Sequence, residues 1–325
     1  IPAADREHRA GPLLALAYPD RLAIRRTQPG RFQLPSGAAA WVAKDDPLAG
    51  APFLVVPDLD GDRREARIRL GAPIDPADVG RMFGEEVSTV RSIDWDRRRD
   101  ELVERVERRI GGITLEETTS KPEAGPEVTG LLLERVRALG LDRSLGWSDR
   151  ARLLRARVET CHRYLGEPWP DWSDERLLAT LDDWLAPFLL FATSRADLEA
   201  LDVAEVLSAR LDHQLLRALD TLAPDSVTIP TGRQVPVVYG AETPVLAVKV
   251  QDMFGTATTP RLGDGRIPLL LHLLSPAGRP LQITADLGGF WAGSWRDVRK
   301  EMAGRYPKHA WPEHPATAPP GGRSR

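Results

Sequence analysis

Residues 53–70 read FLVVPDLDGDRREARIRL, and this stretch is the clearest guide to the fold. Its first run, Phe53–Leu59, is almost continuously apolar, and its second, Glu65–Ala72, alternates apolar and charged side chains. Alternation with a period of two is typical of a strand that buries one face. Asp60-Gly61 stands between the runs, and such a pair tolerates the positive φ angles of tight turns. The stretch therefore predicts a β-hairpin.

Further β-like runs, separated by glycine and proline, lie on both sides of this hairpin. They are Arg21–Arg26, Arg31–Leu34, Ala38–Lys44, Val87–Trp95 and Leu102–Leu115. The last run also has helical spacing at Leu102, Val106 and Ile110, but the β-friendly residues near its end favour strand, which we predict throughout. Several short strands in about 100 residues suggest an OB-like barrel over residues 12–120, preceded by a polar linker at 1–11.

The rest of the chain, residues 121–325, is predicted to form a second domain that starts at the Pro- and Gly-containing segment Lys121–Pro126. Residues 127–222 have helical periodicity, residues 226–285 are β-rich and predict an antiparallel sheet, and residues 286–325 predict a C-terminal helix and an extended tail. The predicted helices are Val128–Leu139, Asp149–Leu165, Asp174–Phe191, Ala196–Leu222 and Phe290–Met302, and disorder is expected from Pro315. The fold class is therefore multidomain α+β.

Composition limits the possible functions. Of 325 residues, 42% are hydrophobic and 28% charged, which is typical of a chain that forms a core. No run approaches the roughly 20 apolar residues of a membrane span, so no membrane partner is expected. The single cysteine, Cys161, fits a reducing compartment and predicts a cytoplasmic location. The net charge of −3 means that a nucleic-acid partner would need a local basic groove.

Catalytic signatures are missing from the sequence. There is no G-x-x-x-x-G-K-[ST], H-E-x-x-H, C-x-x-C or G-x-S-x-G pattern. Asp58, Asp60 and Asp62 resemble the start of a calcium loop, but the required glycine and glutamate are replaced by Arg63 and Arg69. We therefore assign no catalytic residue, metal or cofactor to this chain and do not expect it to be an enzyme by itself.

Cationic and aromatic residues interleave in two parts of the chain, as single-strand binding requires, because cations contact phosphates and flat rings stack on bases. The candidate binding residues are Arg21, Arg25, Arg31, Phe32, Trp41 and Lys44 in the predicted barrel, and Arg305, Tyr306, Lys308 and His309 near the end. A structural alternative stays open, since Trp291 and Trp295 share a helix face and could pack into a core, and the barrel residues could form an ordinary solvated sheet.

The stretch Gly304–Pro312, GRYPKHAWP, resembles the G-R-Y-P-K-H-x-W-P signature near the end of HrpB-type ATP-dependent helicases of the DEAH/RHA group. Seven more segments resemble that family in the same order along nearly the whole chain. They are Leu13–Arg21, Trp169–Asp171, Asp183–Pro187, Val250–Gly255, Leu273–Ala277, Arg279–Thr284 and Asp286–Trp291. The resemblance implies the C-terminal portion of such a helicase, comprising an OB-like region and a family-specific C-terminal domain.

The resemblance also implies that the two RecA-like motor domains lie upstream of Ile1 and that ATP and Mg²⁺ belong to that motor. The implied partners are single-stranded nucleic acid, RNA in particular, and the motor domains themselves. Two functions stay open. The chain could be an accessory nucleic-acid-binding module, or a protein-interaction or regulatory module whose acidic helices within Asp174–Leu222 dock on the motor or on a partner protein.

Overall fold

A computed structural model describes residues 3–61 and 65–321 of the chain. The chain divides into two compact units, unit 1 (residues 1–123) and unit 2 (residues 124–325). Among the described residues, no helix combines the length and the apolar character needed to cross a bilayer.

Unit 1 is built around a closed five-stranded barrel. Its described elements are α1 (Ala3–Ala17), β1 (Leu22–Arg25), β2 (Arg31–Gln33), β3 (Ala39–Trp41), β4 (Phe53–Leu59), β5 (Glu65–Pro73), α2 (Pro76–Met82), β6 (Val87–Asp96), β7 (Glu101–Ile110) and β8 (Ile113–Ser120). The barrel order is β1-β2-β3-β5-β4, with β3 and β5 parallel and the other pairs antiparallel. Strands β6, β7 and β8 form a separate antiparallel sheet.

The predicted hairpin is confirmed, because β4 and β5 pair antiparallel and Gly61 has φ 80°. Residues 62–64 of its turn lie outside the described residues. The helical alternative for Leu102–Leu115 is wrong, since β7 and β8 turn at Gly111-Gly112. Residues 1–11, expected to be a linker, fall largely within helix α1. Periodicity in that short segment could not show the helix, because the contacts that stabilise it are with the barrel.

Two apolar clusters hold unit 1 together and leave one side of the barrel open to solvent. The inner cluster fills the barrel with side chains such as Phe32, Ala40 and Leu54. The second lies on the outer surface of β1 and β4, where Leu22 and Val55 pack with Ala15 of α1 and with residues of α2 and β7. Both faces of β1 and β4 are therefore largely buried, while the outward faces of β2 and β5 carry polar side chains and that of β3 carries an alanine and a tryptophan.

Unit 2 combines helices with small sheets. Its described elements are α3 (Pro126–Leu139), α4 (Leu141–Ser144), α5 (Asp149–Leu165), α6 (Asp174–Ala179), α7 (Leu181–Trp184), α8 (Arg195–Glu199), α9 (Val203–Ser208), α10 (His213–Leu222), β9 (Ser226–Thr228), β10 (Gln234–Pro236), β11 (Val245–Lys249), β12 (Arg261–Leu262), β13 (Ile267–Pro268), β14 (Leu270–Leu274), β15 (Pro280–Thr284), α11 (Leu287–Ala292) and α12 (Trp295–Arg305). The largest buried side chains include Trp172, Trp184 and Trp295.

The long helices predicted in unit 2 are correct only where no capping side chain or glycine ends the helix early. Asp149–Leu165 is confirmed as α5. The run expected at Ala196–Leu222 is instead α8, α9 and α10, because the side chains of Asp202 and Asp212 accept backbone N–H groups and start new helices. The run expected at Asp174–Phe191 is likewise divided, into α6, α7 and a 3₁₀ turn. The last helix is interrupted at Gly293.

The single antiparallel sheet predicted for residues 226–285 is wrong. Residues 226–285, all of them described, form three small sheets, and β11 pairs with β14 in parallel. The disorder expected from Pro315 is also wrong for the described part of the tail, since the Pro315 carbonyl accepts from Gly255 N at 2.9 Å and Gly321 N donates to the Gln251 carbonyl at 2.9 Å. Residues 322–325 lie outside the described residues.

Burial sets the chemistry of the only cysteine. Cys161 lies on α5 with 0% of its surface exposed. Desolvation raises the pKa of its thiol from 9.0 to about 12, although the nearby Arg157 acts in the opposite direction. The folded protein therefore keeps this thiol neutral and protected from reagents.

We expect stability to fall as the pH rises above 9. The unfolded chain releases the Cys161 proton near pH 9.0, whereas the folded chain keeps it up to about pH 12. Because the unfolded state then binds fewer protons, each pH unit in this interval costs up to about 1.4 kcal/mol. Urea titrations of the wild type and Cys161→Ala at about pH 8 and about pH 10 test this. Equal pH dependence in the two proteins would contradict the prediction.

Candidate nucleic-acid interface

Three side chains form a row across the open side of the barrel. Arg31 of β2 pairs with Trp41 of β3, and Trp41 pairs with Arg67 of β5. Their neighbours Phe32, Ala40 and Ala66 are buried, and because side chains alternate along a strand, the row points outward. The barrel register thus places an aromatic ring between two cations.

The two guanidinium groups lie over the indole ring. Arg31 Cζ is 5.7 Å and Arg67 Cζ 5.5 Å from the Trp41 ring centroid, within the range of cation–π attraction. The two arginines come from β2 and β5, the strands on either side of β3. Arg31 Nη1 also contacts Glu65 Oε1 at 2.5 Å, with both side chains about 40% exposed. Such an exposed ion pair contributes at most about 1 kcal/mol and leaves other N–H donors of Arg31 free.

A shallow cavity of about 400 Å³ opens beside the row. It is lined by Arg26, Thr27 and Gln28 of the β1–β2 loop and by Arg31 and Glu65. Arg26 is exposed, and its guanidinium has no ion pair within residues 3–61 and 65–321. The lining suits an anion of phosphate size, because two arginines and two polar side chains face one carboxylate.

The other residues predicted for the barrel site have different positions. Phe32 is 0% exposed in the barrel core, so the prediction that its ring stacks on a base is wrong. Arg25 is exposed but directs its guanidinium to the Gly50 carbonyl. Arg21 ends a 3₁₀ turn and pairs with Asp20 at 3.3 Å. Lys44 is exposed in the loop after β3.

The C-terminal candidates belong to unit 2, whereas the barrel row belongs to unit 1. Arg305 is the last residue of α12, and both Arg305 and Lys308 are exposed. Tyr306 and His309 are half-buried, with ring centroids 6.3 Å apart in an edge-to-face contact. The two cations are therefore accessible to a ligand, whereas the two rings contact each other.

Trp295 and Trp311 hold the segment that follows α12 against that helix. Trp295 Nε1–H donates to the Pro312 carbonyl at 3.0 Å, and Trp311 Nε1–H donates to the Tyr306 carbonyl at 3.0 Å. Arg299 Nε–H donates to the Trp311 carbonyl, also at 3.0 Å. The rings of Trp295 and Trp311 lie 5.9 Å apart. Packing, the structural alternative to nucleic-acid contact in this stretch, therefore accounts for most of its aromatic residues.

Two cations of the row and its cavity, Arg26 and Arg67, were not predicted from the sequence, and neither were the cavity residues Thr27, Gln28 and Glu65. A signal for Arg67 exists, because Ala66-Arg67-Ile68 alternates as a half-buried strand must, with arginine outward. Its position beside Trp41 depends on the parallel pairing of β3 with β5, which connects residues far apart in sequence. No local pattern predicts that pairing.

Comparisons with known proteins agree with one another. Residues 184–315 match the family model for an ATP-dependent helicase C-terminal domain, HrpB_C. The chain is 38% identical over 318 residues to the ATP-dependent RNA helicase HrpB of Escherichia coli K12, covering 97% of this chain and 39% of that protein. It thus spans about two fifths of that relative's length.

Two solved structures show the same similarity. The crystal structure of the E. coli DExH-box NTPase HrpB matches 96% of this chain and 39% of its own, at 39% identity and a TM-score of 0.57. A crystal structure of the Escherichia coli DEAH/RHA helicase HrpB matches 92% of this chain and 38% of its own, at 37% identity and a TM-score of 0.51. The similarity therefore extends over both units.

Proposed function

Since this chain belongs to the HrpB-type ATP-dependent helicases and corresponds to their C-terminal portion, we propose that it is an accessory module that binds single-stranded nucleic acid, RNA in particular. In this proposal ATP and Mg²⁺ act in motor domains of the whole protein, in the cytoplasm, and no residue here catalyses their reaction. The barrel holds the strand while the motor moves it.

One observation carries the proposal: the outward row Arg31–Trp41–Arg67 beside a cavity that also holds Arg26. The overall charge of −3 supplies no general attraction for a polyanion, so local cations must do so. We infer further that the barrel is of the OB type, a five-stranded Greek-key barrel. Such barrels bind oligonucleotides on the face of strands 2 and 3 and on the loop between strands 1 and 2. Arg31 and Trp41 lie on strands β2 and β3, Arg26 lies in the loop between β1 and β2, and Arg67 lies beside them on β5.

Replacing Arg26, Arg31 and Arg67 together with alanine should weaken binding of a fluorescein-labelled single-stranded RNA about 10- to 100-fold at low salt. Each lost phosphate contact lowers the slope of log K against log salt by about 0.7, so the slope should fall by about 2. Fluorescence anisotropy at several salt concentrations measures both quantities.

The control replaces the same three arginines with lysine. This variant keeps the charges and should retain most of the salt slope, although the planar donor geometry of arginine is lost. Wild-type protein that binds no single strand at low salt would disprove the proposal. An alanine variant that binds as tightly as the wild type would show that the barrel row is not the binding surface.

An alternative function, docking on the motor or on a partner protein, is favoured by an apolar surface in unit 2. Leu190 and Phe191 follow a 3₁₀ turn between α7 and α8 and are 63% and 90% exposed. Apolar groups of this size are costly to leave in water. Adding the fragment to the motor domains and measuring ATP turnover tests this function. Docking would be favoured if the chain stimulates ATP turnover, if Phe191→Ser abolishes that stimulation, and if the chain alone shows no affinity for RNA.

A further inference from the structure

The sequence predicts a single-strand binder whose aromatic rings stack on bases. In the structure, the two aromatic rings predicted in the barrel already make other contacts. Phe32 lies inside the barrel. Trp41 has a guanidinium over its ring from each neighbouring strand. A base that stacked on Trp41 would compete with Arg31 and Arg67 for the ring. Displacement would sacrifice a cation–π contact and a phosphate ligand together.

We propose that Trp41 is a spacer that positions Arg31 and Arg67, so that the barrel binds the sugar-phosphate backbone of the strand and leaves its bases unread. This inference rests on the proposed function and specifies which part of the strand the barrel recognises. Trp41 is then a positioning residue, acting through the two arginines.

The geometry explains why phosphates suit this row. A guanidinium that lies over a ring uses its flat face, while its N–H donors point outward from its edge and match phosphate oxygens. In residues 3–61 and 65–321, Arg67 has no side-chain ion pair, and Arg31 has one exposed pair, with Glu65. The tryptophan also limits rotation of both long side chains, so less side-chain entropy is lost on binding.

Among residues 3–61 and 65–321, the charged side chains in the row and the cavity beside it are three arginines and one glutamate. Arg26 lies in the same cavity as Arg31, and Glu65 is the carboxylate in contact with the row. Within the part of the chain that the structure describes, this group is net positive, on a protein whose net charge is −3. A phosphate can replace Glu65 on Arg31, since the exposed ion pair is weak.

The first test compares two labelled strands of equal length, one with normal bases and one whose sugars carry none. The barrel should bind both within about threefold, because the phosphates are identical. Stacking on Trp41 would instead favour the base-bearing strand by about 5- to 150-fold for each stacked base. A preference of that size would overturn the inference.

The second test is a double-mutant cycle on the same two strands. Trp41→Ala should weaken both strands equally, by about tenfold, and should add less than about twofold when Arg31 and Arg67 are already alanine. Trp41→Phe should recover much of the affinity, because a phenyl ring also separates and attracts guanidinium groups. Loss on the base-bearing strand only, or full additivity with the arginine changes, would contradict the spacer role.

The outcomes separate the inference from the function on which it rests. A wild-type protein that binds neither strand refutes both. A wild-type protein that binds the base-bearing strand through the arginines, yet fails to bind the strand without bases, refutes only the spacer role. Circular dichroism of each variant shows whether the barrel remains folded.

Discussion

Replacing Trp295 with alanine is expected to destabilise unit 2 by about 3–5 kcal/mol. The side chain is 2% exposed and packs against Phe254, Phe290, Trp291 and Trp311, with ring centroids 5.2–5.9 Å from its own. Its indole N–H also donates to the Pro312 carbonyl. Truncation removes a large buried area and leaves a cavity next to the tail. Urea denaturation followed by circular dichroism measures the loss.

Trp295→Phe is the matched control. It keeps an aromatic ring in the cluster but loses the N–H donor, and should therefore cost much less, about 1–2 kcal/mol. A second readout follows the tail, since trypsin should cut after Lys308 faster in the alanine variant than in the wild type. An alanine variant whose unfolding midpoint and cleavage rate equal those of the wild type would show that the aromatic cluster does not hold the tail.

Replacing Gly11 with alanine is expected to destabilise unit 1 by about 2–3 kcal/mol, although alanine favours helices. Gly11 lies within α1, and a Cβ built there would be 2.1 Å from the Pro73 carbonyl oxygen and 3.1 Å from Ile74 Cα. Backbone atoms cannot rotate away as a flexible side chain can. The helix must therefore move off β5, and the packing of Ala15 against the barrel is lost.

Gly130→Ala is the control within the same chain. Gly130 lies inside α3, and a Cβ there would meet no atom within 4 Å. This change should raise stability by about 0.5–1 kcal/mol, because alanine loses less conformational entropy than glycine on folding. Thermal unfolding of the two variants should therefore shift in opposite directions. A Gly11→Ala protein as stable as the wild type would mean that α1 is not seated against the barrel.

The sequence predicted elements whose signals are local. Phe53–Leu59 was predicted with the bounds of β4, because a continuous apolar run buried on both sides stands out. The long helices expected in unit 2 were wrong where Asp202 and Asp212 occur, since an aspartate on a polar helix face and an aspartate that caps a new helix look alike in sequence. The fold of α1 depended on contacts with the barrel and could not be predicted.

The candidate site was predictable only in part, because some of its residues meet through contacts between distant parts of the sequence. Arg31 and Trp41 lie in the exposed row, and the alternation Arg31-Phe32-Gln33 could have shown that Phe32 points the other way. Arg67 joins them through a strand pairing that skips β4 in sequence. At the C-terminal end, Trp295 and Trp311 serve packing, while Arg305 and Lys308 remain exposed. Whether those two cations contact nucleic acid stays a prediction.

The most direct test of the barrel as the binding surface is arginine footprinting. Phenylglyoxal modifies exposed guanidinium groups, and mass spectrometry then measures the extent at each arginine with and without a saturating single-stranded RNA. RNA should protect Arg26, Arg31 and Arg67, while Arg81, exposed on α2, should react equally in both states. Protection confined to Arg296 and Arg305 of unit 2, or protection nowhere, would contradict it.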